Sequence, residues 1–270
     1  MDAFDLDRIG GHKGLAALTD ELLACGELAL RLYSGGAAAR TQRKPDRSPV
    51  TEADQLVEQR LMGFLRKHYP DASFWGEETG SEDLGSNGLR FLVDPIDGTR
   101  AFVRGLPTWS VLLGLEADGE PVLGMALMPA NGDLFVGATG HGATMNGRPL
   151  RVSQVGSLDD AVVSHGGLDQ FRAAQRTDLP AKMSERIYTC RGFADFDGYR
   201  QLLLGRVDAM IDLDIKPYDV CPAAVLVREA GGRFTGFSGR DSIHEANTVA
   251  SNGLVHDALL ELVGLEETRS

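Results

Sequence analysis

Cysteine is scarce in this chain. Its 270 residues hold three, Cys25, Cys190 and Cys221, far apart and with neither C-x-x-C spacing nor a neighbouring histidine pair. That excludes a disulfide framework and a cysteine-based zinc site, and leaves buried or idle thiols in a reducing compartment. Long apolar runs are also missing: no stretch approaches the roughly 18 uninterrupted apolar residues of a membrane-spanning helix. The acidic segment Met1 to Gly11 has neither the basic start nor the apolar run of a signal peptide, so a cytoplasmic soluble protein is expected. Positive charge is in deficit, with 27 Lys and Arg against 39 Asp and Glu, a net charge of −12. Such a surface repels phosphate backbones and anionic lipid, so neither nucleic acid nor membrane is an expected partner. Aromatics make up only 7% of the chain, yet 43% of it is apolar, enough for one large core or two smaller ones.

From Lys13 to Tyr33 the residues Leu15, Leu18, Leu22, Ala29 and Leu32 recur every three to four positions, which predicts an amphipathic helix stopped by Ser34-Gly35-Gly36. After a polar loop, Lys44 to Pro49, Thr51 stands three residues before Asp54 and ahead of Leu56, Val57, Leu61, Phe64 and Leu65, the pattern of a capped second helix. Short apolar runs follow at 74–75, 91–93, 111–115, 122–128 and 134–136. They predict strands, with hairpin turns at Asp118-Gly119 and Asn146-Gly147. The second half alternates: a strand at 161–164, a helix at 198–204, a strand at 209–212, a helix from Val220 to Ala230 closed by Gly231-Gly232, and a strand at 233–237. Stretches 79–88 and 165–185 look least structured. A soft boundary near residue 150 separates an N-terminal α+β half, 1–150, from a C-terminal α/β half, 151–270.

The run Phe91-Leu-Val-Asp-Pro-Ile-Asp-Gly-Thr99 is the chemically specific segment. An apolar strand delivers Asp94, Pro95 enforces a turn, and Asp97 arrives three residues later with its carboxylate able to face the same point. Two hard oxygen donors there suit Mg²⁺, and the Ile96 carbonyl can add a third. Gly98 and Thr99 open a short helix whose amides can meet a phosphate oxygen. Aspartate-proline and aspartate-glycine pairs are also ordinary turn formers. Upstream, Trp75-Gly-Glu-Glu78 adds carboxylates, and Lys216-Pro-Tyr-Asp219 puts another at a helix start, where Asp219 can equally be a cap. Asp54 has the same double reading.

These residues resemble the inositol monophosphatase family of magnesium-dependent, lithium-sensitive phosphatases. The likeness runs in order through Lys44-x-Asp46, Val50-Thr-Glu-Ala-Asp54, Gly76-Glu-Glu78, Asp94-Pro-Ile-Asp-Gly-Thr99 with Phe102 and Gly105, Gly140-x-Gly-Ala143, Asn146-Gly147, Tyr218-Asp219 and Glu229-Ala-Gly-Gly232. It implies a layered α/β/α/β/α sandwich of the inositol monophosphatase and fructose-1,6-bisphosphatase type, usually a homodimer. It also implies two or three Mg²⁺ ions between the halves. By motif, Glu77, Asp94, the Ile96 carbonyl, Asp97 and Asp219 would be the metal ligands. Asp54 and Thr99, with Glu77, would be catalytic, readying a water for in-line attack on a phosphate ester. Gly98 and Thr99 would meet the substrate's phosphate.

Inositol-specific members tend to carry a Gly-Thr-Ala or Gly-Ser-Ala turn where this chain reads Arg191-Gly-Phe-Ala-Asp195. The stretch looks more like members that hydrolyse histidinol phosphate, with Asp195 able to pair with an amino group that inositol lacks. Asp212, seven residues before Asp219, sits where inositol-type members place an acid that contacts hydroxyls, so both substrates stay open. A haloacid-dehalogenase reading of Met210-Ile-Asp-Leu-Asp214 fails on position and on Lys216. A cysteine phosphatase fails because Val227, not arginine, stands six residues after Cys221. No G-x-S-x-G or H-E-x-x-H motif occurs. A silent module that only senses a metal or phosphate is the remaining alternative.

Overall fold

Two helices lie against one face of the first sheet because each carries a single apolar stripe. The computed structural model describes residues 2–34, 42–43, 49–82 and 85–264. The Gly35-Gly36 stop and the Lys44-x-Asp46 element lie outside the described residues. A 3₁₀ turn at Leu6–Ile9 leads into α1, Gly11–Ser34, which buries Leu18, Leu22, Cys25 and Ala29. Strands β1, Gln42–Arg43, and β2, Pro49–Val50, form a short ribbon before α2, Glu52–His68. On α2 the buried stripe runs Asp54, Val57, Glu58, Leu61, Met62 and Leu65, so two acids share the inward face with the apolar residues.

The first sheet contains β3, Ser73–Gly76, β4, Gly80–Glu82, β5, Leu89–Asp97, β6, Ser110–Ala117, β7, Glu120–Met128, β8, Asp133–Ala138, β9, Gly142–Met145, and β10, Arg148–Pro149. Helix α3, Thr99–Val103, follows β5 directly. The order is β10-β9-β8-β7-β6-β5-β3-β4, antiparallel except for the β3–β5 pair. The two-residue turn joining β6 to β7 has positive φ at both Asp118 and Gly119, which matches the strands' own twist. β6 is apolar on both faces because both are covered: Val111, Leu113 and Leu115 meet α1 and α2, while Leu112 faces the next layer.

The second sheet contains β11, Val162–His165, β12, Thr189–Arg191, β13, Ala209–Leu213, β14, Arg233–Gly236, and β15, Asn247–Ser251, in the order β12-β11-β13-β15-β14. Between the sheets lie α6, Asp195–Leu203, and α7, Pro217–Glu229. Helix α7 is buried all round from Val220 to Val227, as a helix flanked by two sheets must be. It approaches β6 and β7 at glycines: a Cβ on Gly124 would stand 2.3 Å from the Pro222 carbonyl oxygen, and one on Gly114 2.5 Å from the Cys221 sulfur. The outer face of the second sheet carries α4, Leu168–Ala173, α5, Leu179–Arg186, and α8, His256–Val263. The result is the five-layered α/β/α/β/α sandwich.

The stretch 165–185, expected to be unstructured, instead holds α4 and α5. Short helices there need only Phe171, Leu179 and Met183 to reach the outer core, too few apolar residues to show a period. Among the described residues no helix is long and apolar enough to cross a membrane, and the three cysteines are free.

Candidate metal centre and active site

Strand β5 carries the site because its C-terminal end breaks register. Its pairing with β6 is regular up to Asp94 and resumes only at Asp97, so Pro95 and Ile96 form an irregularity that turns both aspartates to one side. The Asp94 Oδ1 accepts the Ile96 amide at 3.1 Å. The Asp97 Oδ2 accepts the Ser110 hydroxyl at 2.7 Å and the Phe196 amide at 2.8 Å, joining β5, β6 and α6 at one atom. Gly98 follows at φ 80°, and a Cβ there would stand 3.1 Å from Asp195 Oδ2. A larger residue would be strained at this φ and would press on Asp195 and the Thr108 carbonyl.

A cavity of about 660 Å³ opens at this point. Glu77, Asp94, Ile96, Asp97, Gly98, Thr99, Asp195, Asp212 and Asp219, all singled out from the sequence, line it together. Glu77 follows β3 and donates its amide to the Val93 carbonyl of β5 at 3.1 Å. Asp219 reaches the cavity from the first turn of α7, where its Oδ2 accepts the Lys216 amide at 2.7 Å. It is thus both cap and cavity acid.

Asp54 combines its two readings in the same way. Its Oδ2 closes the capping box of α2, accepting the Thr51 amide at 2.7 Å and the Thr51 hydroxyl at 2.6 Å. Its Oδ1 faces the Thr99 hydroxyl at 3.3 Å, and that hydroxyl also lies 3.0 Å from the Ile96 carbonyl. Asp54, Glu77 and Glu78 each present a carboxylate oxygen within 4.8 Å of the others.

So many acids in one buried place raise one another's proton affinity. Asp94 is held well above the ordinary carboxylate range by burial first, then by repulsion from Glu77, Asp97, Asp219 and Asp54. Burial, with repulsion from Asp195, does the same to Asp97, against the pull of its Ser110 and Phe196 bonds. Asp219 is pushed up to about 7, chiefly by burial, with repulsion from Glu77 and Asp195, against the pull of the Lys216 amide. Buried carboxyls that repel one another mark a place where a divalent cation fits better than protons. The donors are all hard oxygens, the set that Mg²⁺ prefers.

The opposite wall is also acidic. Asp195, at the start of α6, has φ 46°, and Ala194 before it has φ 54°, left-handed values that non-glycine residues rarely adopt. Burial pushes Asp195 up to about 6, against the pull of Arg100. Asp212 is pushed up to about 7, mainly by burial. It accepts Tyr199 OH at 3.3 Å and lies 3.5 Å from Gln170 Nε2. At the mouth Arg100 Nη1 meets Asp169 Oδ2 at 2.6 Å, tying α3 to α4 across the opening.

Sequence reading missed Ser110, Tyr199, Gln170, Asp169, Asp214 and Glu58 near this site. Glu58 alone had a usable signal, since it falls on the inward stripe of α2 one turn after Asp54. Two other elements of the resemblance meet away from the cavity: Glu229 accepts the Gly140 amide at 2.9 Å and the Gly142 amide at 2.6 Å, clasping α7 to the loop before β9.

Comparison with known proteins agrees with this architecture. A model of the inositol monophosphatase family matches residues 13–266. A Streptomyces coelicolor protein named histidinol-phosphatase is 36% identical over 231 residues, 82% of this chain and 86% of its own length. A Thermotoga maritima protein named fructose-1,6-bisphosphatase/inositol-1-monophosphatase is 34% identical over 215 residues, 79% of this chain and 82% of its own. The solved structure of a Thermotoga maritima IMPase superposes with a TM-score of 0.82 at 30% identity, covering 92% of this chain and 96% of that one. Sheet order, carboxylate cavity and likeness along nearly the whole length agree: this chain belongs to the inositol monophosphatase family and is a phosphatase of phosphoric monoesters.

Proposed function

We propose that the chain is a Mg²⁺-dependent phosphatase of a small soluble metabolite, with histidinol phosphate as its preferred substrate. Glu77, Asp94, the Ile96 carbonyl, Asp97 and Asp219 would hold the cations, and the crowded, mutually repelling carboxylates of this set, two of them buried, support that reading. Mg²⁺ held by these residues would supply positive charge for the phosphoryl oxygens and would lower the pKa of a water in the site. Asp54 and Thr99 form the proton-handling pair, the carboxylate accepting through Oδ1 while Oδ2 stays fixed in the cap of α2. Gly98 and Thr99 bring the start of α3 to the substrate's phosphate. The Ser110 and Phe196 bonds hold Asp97 in one orientation throughout.

The observation that carries the choice of substrate is the surplus of negative charge beyond the proposed ligands. Asp169, Asp195, Asp212 and Asp214 also line the cavity, faced by Arg100 and Arg172. One of those arginines, Arg100, is engaged by Asp169. An uncharged polyol gains little from such a wall, whereas the ammonium group of histidinol phosphate gains a counter-charge at Asp195. The name of the Streptomyces coelicolor relative supports the same choice. Inositol 1-phosphate is the second reading, favoured by Asp212, whose oxygens can accept sugar hydroxyls, and by the IMPase likeness.

Phosphate release from histidinol phosphate, inositol 1-phosphate and adenosine bisphosphate, each with Mg²⁺ and with EDTA, tests the reading. Turnover is expected only with Mg²⁺ and fastest on histidinol phosphate, and Asp94→Asn should abolish it. Full activity in EDTA would refute the metal-dependent mechanism. Silence towards every ester would favour a sensing module.

A further inference from the structure

We infer that Glu58 is a positioning residue for the cation site, setting the Glu77 carboxylate through the backbone of the turn after β3. The inference rests on reading Glu77 as a metal ligand. Glu58 itself does not line the cavity. It sits on the inward face of α2 one helical turn after Asp54 and is 1% exposed. Its Oε2 accepts the Glu78 amide at 2.9 Å and its Oε1 accepts the Thr79 amide at 2.8 Å. On the other flank the Glu77 amide is held by the Val93 carbonyl, one residue before Asp94. Glu77 is therefore fixed from both sides, by β5 and by α2, the two elements that also supply Asp94 and Asp54.

Packing alone does not account for a carboxylate here. The neighbouring inward positions of α2 are filled by Val57, Leu61 and Met62, yet Glu58 places both carboxylate oxygens under the turn that carries Glu77 and Glu78. What an anion provides that an apolar residue cannot is two acceptors for two consecutive amides. Glutamine supplies only one, and its amino group would face the other amide. The fit is close: a Cβ on Gly76 would stand 2.5 Å from Glu58 Oε1 and 2.8 Å from the Thr79 hydroxyl. Gly76 thus leaves room for the Glu58 carboxylate to reach the turn. Groups that orient ligands from behind typically change metal affinity by about 10- to 100-fold when altered.

The test is calorimetric titration of Mg²⁺ into the full-length protein without substrate, for the wild type and for Glu58→Gln, Gly76→Ala and Glu77→Gln. Glu58→Gln is expected to bind Mg²⁺ about 10- to 100-fold more weakly. In turnover it should need correspondingly more Mg²⁺ for half-maximal rate, while KM for the ester at saturating Mg²⁺ moves by less than about twofold. Gly76→Ala, which displaces the Glu58 carboxylate without removing it, should shift Mg²⁺ affinity the same way. Wild-type Mg²⁺ affinity in a folded Glu58→Gln protein overturns the inference. If circular dichroism shows that variant unfolded, Gly76→Ala decides by the same criterion. Should Glu77→Gln lose Mg²⁺ while the other two retain it, the positioning role fails and the ligand assignment stands. Should Glu77→Gln itself bind normally, the ligand assignment fails and the positioning role with it.

Discussion

Asp54 and Thr99 meet at 3.3 Å across the gap between α2 and α3, with the remaining oxygen of Asp54 committed to the Thr51 amide and hydroxyl. The two tasks of this carboxylate are therefore separable by substitution. Asparagine can still cap a helix, so Asp54→Asn should cost stability by only about 1 kcal/mol. It cannot take a proton, so kcat should fall by roughly 10²- to 10⁴-fold. Melting curves and initial rates on the same preparation check the pair, and a variant that keeps its rate removes Asp54 from the chemistry.

Acidity should govern the protein differently with and without Mg²⁺. In the folded chain Asp212 and Asp219 are raised to about 7 and Asp195 to about 6, against an ordinary 3.8. A raised carboxyl contributes stability that is complete below pH 3.8 and is lost as pH climbs through the folded value. His256, buried between Thr235 and Ser251 and lowered to about 4, acts in the opposite sense over the same interval, but as one group against three. The melting temperature in EDTA should therefore be lower at pH 8 than at pH 5. Mg²⁺ should remove that difference while displacing protons, which a pH-stat records. A steady rise in stability from pH 5 to pH 8 in EDTA would contradict the account.

Replacing Asp195 by asparagine should separate the two candidate substrates. The half-buried carboxylate lies beside Gly98 and contributes charge to the wall, while its neutral analogue keeps the shape. KM for histidinol phosphate should rise by about tenfold or more, consistent with loss of a charge-assisted bond worth 1.5–3 kcal/mol. That for inositol 1-phosphate should hardly move. Equal effects on both esters would mean that Asp195 does not read an amino group.

The contact of α7 with β7 gives a stability prediction that also reaches the site. Gly124→Ala forces a methyl group to within 2.3 Å of the Pro222 carbonyl unless helix and sheet part. A loss of about 1–3 kcal/mol is expected for such overpacking. Because the same helix begins with Asp219, Mg²⁺ affinity should fall along with the melting temperature. An unchanged affinity in a destabilised variant would show that the helix start moves independently of its middle.

Much of this arrangement was legible before any coordinates. The strand ending in Asp94-Pro-Ile-Asp-Gly-Thr99 announced itself because a rigid turn between two aspartates is a strong local constraint, and α1, α2 and α7 followed from periodicity and punctuation. What stayed hidden had weak local signals. Helices α4 and α5 carry too few apolar residues to show a period. Strand β15 has only Val249 and Ala250 as apolar residues, with the polar Thr248 and Ser251 buried beside them, too short a run to stand out. Asp195 could be proposed from its neighbours, but the strained backbone that aims it depends on α6 packing beneath it. Glu58 falls on the inward stripe of α2 one turn after Asp54, a usable signal that its charge, typical of a solvated face, outweighed.

The oxygens converging on the cavity are supplied from residue 54 to residue 219, by α2, the turn after β3, the end of β5 and the beginning of α7. No fragment ending before α7 contains the whole set, and a full-length chain lacks it until that helix has lodged between the two sheets. If these oxygens hold Mg²⁺ as proposed, uptake of the ion by the complete set would report that folding has finished. A nascent or truncated chain without α7 would keep Asp54, Glu77 and the β5 acids but lack Asp219, and would hold the ion correspondingly more weakly.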